Sequence, residues 1–258
     1  MSMLGKLLWK LSHKLNGNGS DFKVHWHKSA TQSWIGDFFN KDIHTLPSPP
    51  MSAKIEDLAL KASMLGELPL WEGFEKLEDY PFPVKNATRN ANQVRVDKKV
   101  GDLFYNLVVA KKPTRIVEIG TAFGVSGMYW LSGINANGSG TLLTFDPNAI
   151  WAKVAQSNLS MISQNYISTV DTFEDTHHKI LKPGETIDMA FIDAIHQSGI
   201  VNNQFKLVSQ YCAPGSIILF DDINFSYDMW DCWVKIARSP QVKASCSIAK
   251  RIGIAELN

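Results

Sequence analysis

Cysteine is scarce in this chain, with three among 258 residues. Cys212, Cys232 and Cys246 fall into no CxxC pair and no metal-ligand spacing. That excludes a zinc ribbon or a disulfide framework and points to reduced thiols in a reducing, cytoplasmic compartment. A surplus of charge is also missing: 26 basic side chains stand against 25 acidic ones, a net charge of +1. Phosphate-binding surfaces leave a basic footprint, so nucleic acid is not expected as a partner. No apolar run approaches the roughly 20 residues that cross a bilayer. What is present is ordinary for a globular chain, 45% hydrophobic and 20% charged. It is long enough for one α/β domain with a sizeable core plus an extension.

The first 16 residues carry Leu4, Leu7, Leu8, Leu11 and Leu15 at helical spacing, with Lys6, Lys10 and Lys14 opposite. No small-residue cleavage site follows, which speaks against a signal peptide. The expected structure is a basic amphipathic helix packed on its own domain or on a dimer mate, with peripheral membrane contact as the alternative. Up to about residue 95 the chain is irregular, with turn clusters at 16–20, 47–50 and 80–83 and aromatic residues between them. Residues 1–95 therefore read as a cap of helices and loops.

From Val96 the pattern is regular. Val96, Val100, Leu103, Phe104, Leu107 and Val108 mark an amphipathic helix that ends before Pro113. Strands are expected at 115–119, 141–145, 167–170, 187–192 and 216–220, alternating with helices, and a closing hairpin at about 242–248 and 251–257. The fold expected for 96–258 is a Rossmann-like, doubly wound α/β sheet of seven strands, mostly parallel, with a C-terminal antiparallel hairpin.

In such sheets ligands bind beyond the carboxyl ends of the strands. After the first strand stands Glu118-Ile-Gly-Thr-Ala-Phe-Gly-Val-Ser126, whose Gly120 and Gly124 permit a tight turn and close backbone approach. The helix behind them offers amides to a carboxylate. Ala122 occupies the place of the middle glycine of a dinucleotide site, which argues against an NAD-dependent oxidoreductase. Asp146 follows the second strand at an offset suited to ribose hydroxyls. Asp193-Ala-Ile-His196 follows the fourth strand and Asp221-Asp222 the fifth. Carboxylates brought together there need a cation or protons, and a divalent ion with oxygen ligands would serve.

With these motifs, residues from about Val96 to Leu257 resemble class I S-adenosylmethionine (SAM) dependent O-methyltransferases of the catechol and caffeoyl-CoA type. They resemble still more the macrocin O-methyltransferase group. The resemblance implies that Glu118, Gly120, Thr121, Gly124 and Ser126 surround the methionine end of SAM, with Asp193 also at the cofactor. It places Asp146 at the ribose and Thr172 with Phe173 at the adenine. It implies Mg²⁺ or a similar ion on Asp193, Asp221 and Asp222. His196 stands where catechol-type enzymes have a lysine base, so Asp193 and His196 are the expected catalytic pair, with histidine suited to neutral pH. Asp222 replaces an asparagine of the catechol type, and Asp171 stands where glycine is common.

The implied reaction is metal-assisted methylation of a hydroxyl on a small natural product, sugar or phenol, by a homo-oligomer. The alternatives are a metal-independent N- or C-methyltransferase on the same fold, or a non-catalytic membrane-associated binding module.

Overall fold

The computed structural model describes residues 22–40, 42–74 and 87–258. The amphipathic segment expected at 1–16 and the turn cluster at 80–83 lie outside them. Apolar runs that are buried on both sides form the centre of the sheet. Strand β4 (Arg115–Ile119) pairs in parallel with β5 (Thr141–Phe145) on one side and β7 (Ile187–Ile192) on the other. Beyond them lie β6 (Tyr166–Thr169) and β8 (Cys212–Phe220), also parallel. The chain runs outward from β4 through β5 to β6, then returns to β7 and runs the other way to β8. The order therefore reverses between β4 and β7, and their carboxyl ends open a crevice there.

Alternate residues of each strand feed two cores, as the period of two requires. Ile116, Leu142, Met189, Phe191 and Leu219 face helices α4 (Lys98–Lys111) and α5 (Val125–Asn137). Val117, Phe145, Ala190, Ile192 and Phe220 face α7 (Phe173–Ile180), α8 (Ser198–Ser209) and α9 (Tyr227–Ala237). Helix α6 (Ala149–Ser160) follows β5. Helix starts are set by side-chain caps: Asp97 for α4, Asn148 for α6, Thr172 for α7 and Ser226 for α9. Each satisfies an amide that the first turn leaves open. Helix α5 has no such cap.

The closing hairpin forms as expected, β9 (Val242–Ile248) with β10 (Ile252–Leu257), and β10 pairs antiparallel with β8. The strand count differs from the expected seven. Val24–Lys28 forms β1 and pairs antiparallel with the outer edge of β9, which makes eight. Its His-Trp-His sequence has no apolar alternation because an edge strand is half solvated. After it, helix α1 (Trp34–Phe39) sets Ile35, Phe38 and Phe39 in the core. The Ile35 amide donates to the buried Glu256 carboxylate of β10 at 3.0 Å. Helix α2 (Ser52–Ser63) packs against the short helix α3 (Ala91–Val94), whose Ala91 and Val94 face the crevice. A two-stranded sheet, β2 (Leu68–Pro69) with β3 (Thr88–Arg89), stands beside them. No helix among the described residues is long and apolar enough to cross a membrane.

Candidate active site

The loop between β4 and α5 forms one wall of a cavity at the switch point. Gly120 has φ +102°, and a Cβ there would lie 2.0 Å from the Asp193 carbonyl oxygen. Only glycine fits, because the ends of β4 and β7 touch at this residue. Gly124 (φ +80°) opens α5 without a side-chain cap, so the first-turn amides have no intrahelical partner. Ala122 also holds positive φ, 44°. Its amide donates to Asp146 Oδ2 at 2.8 Å, which keeps the loop in this conformation. The cavity is bounded by Gly120, Thr121, Ser126 and Asp193 on this side and by Ala91, Val94 and Arg95 opposite.

The cofactor residues expected from sequence do not all face that space. Glu118 is fully buried under the loop, where it accepts from Trp130 Nε1 at 3.1 Å and Thr144 Oγ1 at 2.7 Å. Burial pushes its carboxyl up to about 7, against the hydrogen bonds of Thr144, Ser126 and Trp130. Thr121 bonds to the Thr144 hydroxyl. Asp146 stands at the end of β5 with its oxygens on the amides of Ala122 and Asn148. Burial raises its carboxyl to about 6. Thr172 caps α7, and Phe173 packs edge-on against Phe145 in the core, so its ring braces this rim from behind.

The expected carboxylate cluster does assemble. The Asp193 amide bonds to Ile119 of β4 and the Asp221 amide to Ile192 of β7, which sets the strand ends side by side. Burial, then the neighbouring Asp221 and Asp222, push the Asp193 carboxyl well above the ordinary range. Burial and then Asp221 also raise that of Asp222. Asp222 sits at φ 46°, a left-handed backbone that aspartate tolerates at a cost. Its Oδ2 lies 3.5 Å from His196 Nε2. The imidazole centre is 5.2 Å from that of Phe225, a half-exposed ring.

The divalent ion expected on this cluster meets a competitor. Arg251 donates from Nε to Asp221 Oδ1 at 2.7 Å and from Nη2 to Oδ2 at 2.6 Å. Its Nε is also 3.0 Å from Asp222 Oδ1. Both oxygens of Asp221 are thus engaged by a permanent cation. Among the described residues no three His, Cys, Asp or Glu side chains are grouped to hold a metal. The donor set as it stands does not fit Mg²⁺.

Sequence reasoning missed two residues here. Arg95 lines the cavity, held by Glu56 of α2 at 2.6 and 2.7 Å, and Tyr129 of α5 donates to the same carboxylate at 2.8 Å. The available signal was the capping pair Asn90 and Gln93, which fixes α3 just before Arg95. Arg251 carried no motif. Only its place between two strands of a hairpin that flanks β8 could have pointed to it.

Residues 117–223 match a family model described as a methyltransferase domain. None of the curated proteins matches the sequence. Among solved structures, the O-methyltransferase TomG from Streptomyces achromogenes, involved in tomaymycin synthesis and in complex with SAM, superposes with a TM-score of 0.59 at 16% identity. The alignment covers 88% of this chain and 96% of that one. The O-methyltransferase from Bacillus cereus in complex with SAH gives 0.57 at 18% identity, over 88% and 99%. The SAH-bound Podospora anserina methyltransferase PaMTH1 gives 0.53 at 14%, over 83% and 98%. Residues 117–223 are thus similar to a methyltransferase domain, set in a fold that the chain shares with these enzymes over most of its length.

Proposed function

We propose that the protein is a SAM-dependent O-methyltransferase acting on a hydroxyl of a small molecule. The observation that carries this reading is the cavity at the switch point, bounded by the glycine turn at Gly120 and by Arg95 across from it. A zwitterionic amino-acid group fits those walls. Its carboxylate would meet the open amides of α5 and the Arg95 guanidinium. Its ribose would lie toward Asp146, whose oxygens would exchange the Ala122 amide for hydroxyl donors.

Bound SAM supplies an electrophilic methyl group. The protein's part is to hold an acceptor oxygen in line with it and to take the proton. His196 follows Asp193 by three residues, with Asp222 at its Nε2 and the Phe225 ring beside it, which would give the acceptor an apolar wall. The acceptor oxygen would form its bond to carbon as the carbon–sulfur bond breaks, with the proton passing to His196. Positioning is the main source of rate in such a displacement. The Asp221 oxygens that a metal would use are engaged by Arg251.

Calorimetric titration with SAH in EDTA tests the reading. Binding at about micromolar Kd is the expected result, and Arg95→Gln should weaken it about tenfold or more, the loss of one charge-assisted contact. Absence of SAH binding with and without Mg²⁺ would sink it.

A further inference from the structure

The position of Arg251 is not incidental. It is the last residue of the turn that joins β9 to β10, with its amide bonded to Ile248 and its carbonyl accepting from Ile223. Both central residues of that turn, Ala249 and Lys250, hold positive φ, 52° and 56°. A tight hairpin of this hand demands such angles, and asparagine and glycine are the residues that adopt them cheaply. Neither is present. Asp222, across from Arg251, is the third non-glycine residue here in the left-handed region. Local strain of this kind persists where the surroundings over-determine it. What the three strained residues hold in common is one ion pair, with the guanidinium forked on Asp221 and reaching Asp222.

A divalent ion bound to these oxygens would sit roughly 2.0–2.6 Å from them. It would have to break a bidentate arginine–carboxylate pair, the strongest geometry such a pair has. The guanidinium also does what an ion would do for the cluster, offsetting the repulsion among Asp193, Asp221 and Asp222. It has a further effect. By drawing on Asp222 Oδ1, it leaves Oδ2 turned to His196.

We infer that Arg251 is a built-in cation standing in place of a divalent metal, and a positioning residue that acts through Asp222 on His196. The inference rests on reading this edge of the sheet as the acceptor side of the methyl-transfer site. It makes the site metal-free by construction.

Titration of the full chain with Mn²⁺, followed by the electron paramagnetic resonance signal of the free ion, decides the matter. Wild-type protein should leave the signal unchanged up to about 1 mM, weaker than sensor-type calcium sites. Arg251→Gln uncovers the carboxylates and should take up one Mn²⁺ per chain, at least about tenfold more tightly than wild type, with a rise in Tm on adding the ion. Arg251→Lys should stay silent. Wild-type uptake of one Mn²⁺ that Asp221→Asn abolishes would overturn the proposal. So would a folded Arg251→Gln that takes up none. If Arg251→Gln does not fold, the wild-type titration alone decides, silence supporting the proposal and Asp221-dependent uptake refuting it. SAH titration of the same samples keeps the two readings apart. SAH binding beside wild-type Mn²⁺ uptake refutes the built-in cation and leaves methyl transfer standing. No SAH binding refutes methyl transfer, and the Mn²⁺ titrations still judge Arg251.

Discussion

Glu118 is a fully buried carboxylate near the end of β4. It stands in the motif where a cofactor contact is expected, but its carboxylate points beneath the loop, onto Trp130 and Thr144. Its burial has a cost that depends on pH. With its pKa raised from 4.5 to about 7, the folded state binds the proton more tightly than the unfolded one. The resulting stability is full below pH 4.5 and is lost as pH rises through about 7. Glu118→Gln keeps the shape and removes the titration. The variant should be more stable than wild type at pH 8, by up to about 3 kcal/mol at 1.36 kcal/mol per unit, and equal to it at pH 4. Urea denaturation at the two pH values measures this, and equal curves at pH 8 would refute it.

Among the elements, the strands that carry the site were legible and the turns that aim it were not. Strand β4 and the strands β5, β7 and β8 announced themselves as apolar runs, and the residue after each is where chemistry gathers in a parallel sheet. Gly120, Asp146, Asp193 and Asp221 hold those positions, each directly after its strand. The hairpin turn at Ala249 and Lys250 left no such trace, because its residues contradict the conformation they adopt. Tertiary pairing of β10 with β8 and β9 imposes it. Replacing the pair by Asn-Gly should therefore raise stability by about 1 kcal/mol, read as a shift in the urea midpoint at constant slope. A loss of stability would mean that the backbone angles do not oppose the side chains there. Strand β1 escaped for a different reason: half-solvated and rich in histidine, it has no period to detect.

At the scale of the molecule, β1 couples the amino-terminal segment to the far edge of the sheet through a cluster around His27. His27 Nε2 accepts from Trp233 Nε1 at 3.3 Å and pairs with Ser247 Oγ at 3.0 Å, with Trp230 edge-on beside it. A proton on that nitrogen would face the indole N–H. Burial, and then Arg238 and His25, hold the imidazole below its ordinary value of 6.5. The folded state thus binds fewer protons than the unfolded one in acid. This contribution to stability is whole above pH 6.5 and falls as pH drops through the lowered value. His27→Gln should flatten the decline between pH 7 and pH 5 relative to wild type in the same denaturation series. Parallel curves would count against the role of His27.

The pairing of β1 with β9 also carries a consequence for synthesis. His27 waits for Ser247, 220 residues later, and the Ile35 amide for Glu256, 221 residues later. At a ribosome's pace of about 5–20 residues per second, that interval lasts roughly ten to forty seconds. Strands β4 to β8 can collapse during it, while Trp26, Phe38 and Phe39 have no partner edge to bind. The nascent chain therefore emerges with an aromatic segment in need of protection. A slow last step in refolding, as the outer edge closes, is what the sheet order predicts.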